Sequence, residues 1–108
     1  MKVAMIRCLK AEEECIAKPC LDLIKERQNQ FSDIDEIELV GLITCGGCPG
    51  KKISLRVKSL LEEGADKVVL TSCMTKGTCR DELCPHLEAI KESVLQMVDR
   101  DKVIFDTL

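Results

Sequence analysis

Aromatic residues are nearly missing from this sequence. Phe31 and Phe105 are the only two, and Trp and Tyr are absent. The core must therefore be aliphatic, built from Val, Ile, Leu and Met. Single-stranded nucleic acid, which is held by stacking on aromatic faces, has no platform here. An excess of positive charge is also lacking. The net charge is −3, whereas duplex binding needs a basic face to displace counterions. Lys51, Lys52, Arg56 and Lys58 form the single basic cluster and read as a solvated helix face. No apolar run is long enough to cross a membrane, and Met1 to Arg7 is too short for a signal peptide and leads straight into charged sequence. These absences predict a cytoplasmic protein with no nucleic-acid partner and no membrane partner. They give no indication of a protein partner.

What the chain has in quantity is cysteine. Eight are present: Cys8, Cys15, Cys20, Cys45, Cys48, Cys73, Cys79 and Cys84. In a secreted chain they would read as a disulfide framework. Without a secretion signal, and with regular helix and strand patterns, metal or redox chemistry in a reducing compartment is the better reading. The length of 108 residues suits one domain spanning 1–108, and 45 % apolar with 32 % charged residues describes a folded globule.

Lys2 to Arg7 (KVAMIR) reads as a first strand, followed by a charged loop with Glu12, Glu13 and Glu14. Pro19 can open a helix, because its missing N–H costs nothing at the first helical position. That helix is expected to run to about Gln30, with Leu21, Ile24 and Phe31 roughly on one side. Ile37 to Thr44 (IELVGLIT) is almost continuously apolar, which suits a central parallel strand covered on both faces. A second helix follows with Ile53, Val57, Leu60 and Leu61 at helical spacing and Gly64 as its stop. Lys67 to Ser72 is a third strand. Cys84 and Pro85 open a third helix with Leu87, Ile90, Val94, Met97 and Val98 on its buried stripe, and Lys102 to Leu108 is a fourth strand. The alternation βαβαβαβ predicts a single three-layer α/β domain: a four-stranded parallel sheet, flavodoxin-like or Rossmann-like, with helices on both faces.

Three of these strands end at a cysteine: Cys8, Cys45 and Cys73. In a parallel sheet they share one edge, and open α/β sheets bind ligands beyond the carboxyl ends of their strands. Either common strand order, 2-1-3-4 or 3-2-1-4, leaves the three strands contiguous. Neighbouring strands lie about 4.8 Å apart. Two thiolates on one tetrahedral zinc lie about 3.8 Å apart, given a Zn–S bond of about 2.3 Å, so adjacent strand ends can share an ion. Cys45-Gly46-Gly47-Cys48 adds a C-x-x-C whose glycines allow a tight turn. Cys48 is expected at the start of the second helix, where the dipole favours thiolate. Cys84-Pro85-His86 opens the third helix on the same edge and carries the single histidine, a candidate ligand or a partner to one. The roles of Cys15, Cys20 and Cys79 stay open between ligation and packing.

These residues give the chain a resemblance to the CGGC-domain family of small bacterial and archaeal proteins. It rests on Arg7-Cys8, Cys15 and Cys20, the central Cys45-Gly46-Gly47-Cys48-Pro49-Gly50, Cys73, and Cys84-Pro85-His86. The resemblance implies metal binding. The expected site is Cys8, Cys45, Cys48 and Cys73, then Cys84 and His86, holding zinc or an iron–sulfur cluster. The alternative is an enzyme, a dithiol/disulfide oxidoreductase using Cys45 and Cys48. A weaker thought is the cysteine–arginine loop of tyrosine phosphatases, but Cys73 and Arg80 are one position too far apart. Metal sensing or delivery is not separable from metal binding at this level.

Overall fold

A computed structural model describes residues 1–9, 16–27, 31–34, 36–46, 50–71 and 85–105. Within them, strands and helices alternate: β1 (Lys2–Arg7), α1 (Lys18–Glu26), β2 (Glu38–Thr44), α2 (Ile53–Glu62), β3 (Lys67–Leu70), α3 (Leu87–Leu95) and β4 (Val103–Ile104). A 3-10 turn at Arg100–Lys102 precedes β4. Every paired strand is parallel, in the order β2-β1-β3-β4. The fold is thus the expected α/β architecture, in the first of the two strand orders considered. No helix among the described residues is long and apolar enough to cross a membrane.

Strand geometry sends successive side chains to opposite faces, and β1 uses both. Ala4 and Ile6, with Val68 and Leu70 of β3, pack under Ile53, Val57 and Leu60 of α2, Ile90 and Val94 of α3, and Val98 just beyond it. Val3 and Met5, with Val69, pack under Cys20, Leu23 and Ile24 of α1 and under Phe31. Each fully buried aliphatic side chain contributes about 1.5–3 kcal/mol, so this double burial makes β1 the axis of the core. On the solvent side of α1, Lys18 Nζ donates to Asp22 Oδ2 at 2.6 Å. The hydrogen bond and charge of Asp22 raise the Lys18 pKa, although so exposed a pair adds little to stability.

The structure corrects several expectations. Strand β2 lies at an edge, not in the centre: β1 is its one partner in the sheet order. Its apolar run is continuous for another reason. The pairing with β1 slips by one residue, from Val3 opposite Leu39 to Ala4 opposite Gly41. Val40 is the extra residue, a β-bulge, and it breaks the alternation that would have marked an edge strand. Leu39 and Leu42 stay 37 % and 40 % exposed, because α1 sits over β1 and β3.

Helix α1 stops at Glu26, earlier than expected. Arg27 turns left-handed (φ 53°), and its N–H closes onto the Ile24 and Leu23 carbonyls. Few non-glycine residues do this, so the stop carries no sequence mark. The buried stripe is Cys20, Leu23 and Ile24, while Leu21 is half-buried and Phe31 enters the core from beyond the helix. Strand β3 ends at Leu70, although Thr71 N–H still donates to the Ile6 carbonyl at 3.1 Å. Met97 lies past the end of α3 and is 37 % exposed. Strand β4 is confined to Val103–Ile104, and residues 106–108 of the expected strand lie outside the described residues.

Phe31 has 0 % exposure and closes the α1 side of the sheet. Phe31→Ala is expected to lower unfolding free energy by about 3–5 kcal/mol, as aromatic truncation in a close-packed core does. Urea denaturation measures this loss, and a change below about 1 kcal/mol would contradict the packing described.

Candidate functional site

The bulge at Val40 sets the geometry of the carboxyl edge. Beyond it, Ala4, Met5, Ile6 and Arg7 pair with Gly41, Leu42, Ile43 and Thr44. The ladder continues past the strand ends, since Cys45 N–H donates to the Arg7 carbonyl at 2.9 Å. The next pair in this register is Cys8 with Cys45. Both are buried, 3 % and 5 % exposed, and both belong to the core cluster under α2 and α3. Gly41 lies on the same side of β2, and a Cβ there would stand 2.8 Å from Leu60 Cδ2. Adjacent strands hold such a pair about 4.8 Å apart, close to the thiolate spacing on a shared metal ion.

Two glycines shape the chain after Cys45. Gly46 has φ +85° and donates its N–H to Thr44 Oγ1 at 3.3 Å. Gly50 has φ +87°, and a Cβ there would stand 2.9 Å from Cδ1 and Cγ1 of Ile90. The chain leaving the C-G-G-C segment therefore rests directly on α3. Ile90 N–H donates to the His86 carbonyl at 3.0 Å, so Gly50 packs one helical turn from His86.

His86 is half-buried and occupies the N-cap of α3, where its side chain makes no capping bond. Helix α2 begins at Ile53 and α3 at Leu87. Both helices thus start later in the chain than expected, five residues after Cys48 and three after Cys84. Cys48, Cys73 and Cys84 lie outside the described residues, as do Cys15 and Cys79. Among the described residues no three Cys, His, Asp or Glu side chains converge on one point. Cys8 and Cys45 are brought together, while His86 does not complete a trio with them. Cys20 packs on the opposite face of the sheet, among Val3, Met5 and Leu23.

Among the described residues, two buried polar groups escape a reading based on cysteines. Arg7 is 8 % exposed and Thr71 1 %. Continuing the β1–β3 register beyond Ile6 and Leu70 sets them side by side, on the α1 face. A cation closing an otherwise apolar strand was the available signal for Arg7.

The architecture defines a small, cysteine-rich, parallel α/β protein in which two buried cysteines, Cys8 and Cys45, adjoin at the carboxyl rim of the sheet. The chain belongs to the CGGC-domain family: the CGGC domain matches residues 2–107. It is similar to the uncharacterized protein MJ0582 of Methanocaldococcus jannaschii, at 35 % identity over 81 % of this chain and 70 % of that protein. It is also similar to the uncharacterized protein MJ0766 of the same organism, at 38 % identity over 54 % of this chain and 85 % of that one. No solved structure matches the chain.

Gly50→Ala is expected to destabilise the protein by about 2 kcal/mol or more. It forces an L side chain into the left-handed region and drives a methyl group into Ile90. Pairing it with Ile90→Ala should recover only the steric part of the loss relative to Ile90→Ala alone, which chemical denaturation of the four proteins resolves.

Proposed function

We propose that the protein holds a zinc ion or an iron–sulfur cluster through cysteines at the carboxyl rim of its sheet. Cys8, Cys45, Cys48 and Cys73 are the first ligands, with Cys84 and His86 next. The observation that carries this reading is the buried, in-register pair of Cys8 and Cys45 on one face of the sheet. Their sulfurs are soft donors, suited to zinc and to iron–sulfur clusters. Chain connectivity supports the remaining ligands. Cys73 is two residues from Thr71, Cys84 two from His86, and Cys48 two from both Gly46 and Gly50. Two residues span at most about 7 Å. A reducing, cytoplasmic setting suits the reading, because it keeps thiols available to metal.

Bound metal would supply a fixed crosslink in the case of zinc, or an electron carrier in the case of a cluster. The chain's own contribution is to exclude water from Cys8 and Cys45 and to hold the two strands in register. A dithiol oxidoreductase using Cys45 and Cys48 draws on the left-handed turn at Gly46. It is the weaker reading. Cys45 is 5 % exposed, and α2 starts eight residues after it, at Ile53. An attacking thiol needs access and benefits from a helix N-terminus.

Metal analysis and visible absorption of protein purified without oxygen test the proposal. The expected result is at least one zinc per chain, or iron with broad sulfur-to-iron bands. Cys8→Ser and Cys45→Ser should each lose most of the metal, while Cys20→Ser, on the other face, keeps it. Sub-stoichiometric zinc and iron in the parent protein, or full metal retention in both rim variants, would overturn it.

A further inference from the structure

The two edges of the sheet are built differently. On one, β4 is two residues long, and so short an edge offers little to a further strand. On the other, β2 runs for seven residues, and among the described residues β1 is its one partner. From Leu39 to Thr44 this edge carries no charged residue and no proline, the common guards against pairing with another chain. The bulge at Val40 is a guard of another kind, but Gly41 to Thr44 continue regularly beyond it. On one face α1 leaves Leu39 and Leu42 exposed. On the other face α2 straddles β2 and β1, with Leu60 over Gly41 and with Val57 and Leu60 in one cluster with Ala4 and Ile6. One flank of α2 overlooks the edge. Leu61, on the opposite flank, faces α3, since it lines a cavity with Met97 and Val98. Lys52, Arg56, Ser59 and Glu63 recur at helical spacing on the flank away from Leu61. That flank is basic beside the carboxyl end of β2, where a Cβ on Gly46 would stand 3.0 Å from that of Lys52. It is acidic at the amino end, where Glu63 caps the helix and Glu38 opens the strand, both exposed.

We propose that a second copy of the chain pairs with β2 edge to edge, antiparallel, about a two-fold axis at Leu42. The proposal goes beyond the metal reading and does not depend on it. Charge complementarity selects this partner: a two-fold axis turns the acidic end of each copy onto the basic end of the other. Gly46 is level with Lys52, and Gly41 with Leu60, so Leu42 is level with the middle of α2. Lys52 of each copy then stands across the axis from Glu63 of the other, and Arg56 from Ser59. Because α2 straddles two strands, its axis lies about half a strand spacing inside β2. The two copies of α2 are thereby set about 10 Å apart, at helix-packing distance. On the α1 face the two Leu42 side chains meet at the axis with a Leu39 beyond each, and the four leucines are withdrawn from water together. A seven-residue edge is a small interface, so the association is weak and reversible.

Sedimentation velocity of the full chain in reducing buffer, from about 1 µM to about 1 mM, tests this. A monomer–dimer equilibrium is expected within that range. Leu42→Glu sets two carboxylates against each other on the axis and should leave monomer at every concentration. Lys52→Glu and Glu63→Lys should each weaken the dimer about tenfold, because each reversal acts twice. Both positions are exposed, so these variants keep the test decisive should Leu42→Glu fail to fold. Combining Lys52→Glu with Glu63→Lys should restore the affinity to within about threefold of the parent. Monomer throughout in the parent protein overturns the proposal. Association beyond two copies, a dimer indifferent to Leu42→Glu, or a double variant no tighter than the single ones does so as well.

Discussion

One extra residue in an edge strand organises the carboxyl end of this molecule. Up to Val3 and Leu39 the two first strands pair in one register, and from Ala4 and Gly41 onward in another. The bulged Val40 absorbs the difference. Gly41, Ile43 and Cys45 thereby fall on the α2 side, beside Ala4, Ile6 and Cys8, whereas Leu42 and Thr44 join Met5 and Arg7 on the α1 side. Had the first register continued, Cys45 would have stood opposite Leu9, and its thiol would have faced away from that of Cys8. The side chains respect the shifted register: Leu60 of α2 lies over Gly41 where no Cβ intervenes. Packing of helix on sheet and pairing of strand on strand thus specify the same alignment.

That alignment divides the rim between two chemistries. The Cys8 and Cys45 thiols are presented on the face covered by α2 and α3, and a guanidinium flanked by hydroxyls on the face of α1. Strand geometry alone separates them, because consecutive residues such as Arg7 and Cys8 point to opposite sides. The two sets share backbone even so. Thr44 and Cys45 are neighbours, and Gly46 of the C-G-G-C segment is tied by its N–H to the Thr44 hydroxyl. A change in the position of that hydroxyl bears on the turn that leads away from Cys45.

Much of the fold was legible in the residues. KVAMIR occupies the expected strand residue for residue, and the parallel sheet with helices on both faces followed from the alternation of elements. Helix α2 ends near Gly64, which has φ +91°. The errors have physical sources. Strand β2 looked central because its bulge and the lightly covered Leu39 and Leu42 imitate a strand buried on both sides. The end of α1 was invisible because Arg27 does the work usually given to glycine or asparagine. Both later helices begin beyond their Cys-Pro dipeptides, since Lys52 and His86 act as N-caps without the usual side-chain bond. Of the site, the meeting of Cys8 and Cys45 was readable from strand ends and strand spacing. The separation of Cys20 was not, because whether a helix covers one face or the other leaves no mark in its composition. Arg7 had a signal, a cation closing the apolar strand KVAMIR, but its burial is a property of the folded chain.

The position of β1 bears on how the protein is made. Of the four strands of this sheet it is the first to be synthesised, yet its neighbours are β2 and β3, which follow much later in the chain. Val3, Ala4, Met5 and Ile6, all fully enclosed in the finished molecule, have no partner on one edge until Thr44 has emerged and none on the other until Leu70. The most deeply buried segment is therefore the one that waits longest in water during synthesis, an apolar stretch of the kind that associates wrongly unless shielded. Lys2 and Arg7, a charge at each end of that stretch, are placed to keep the nascent segment dispersed until the sheet closes around it.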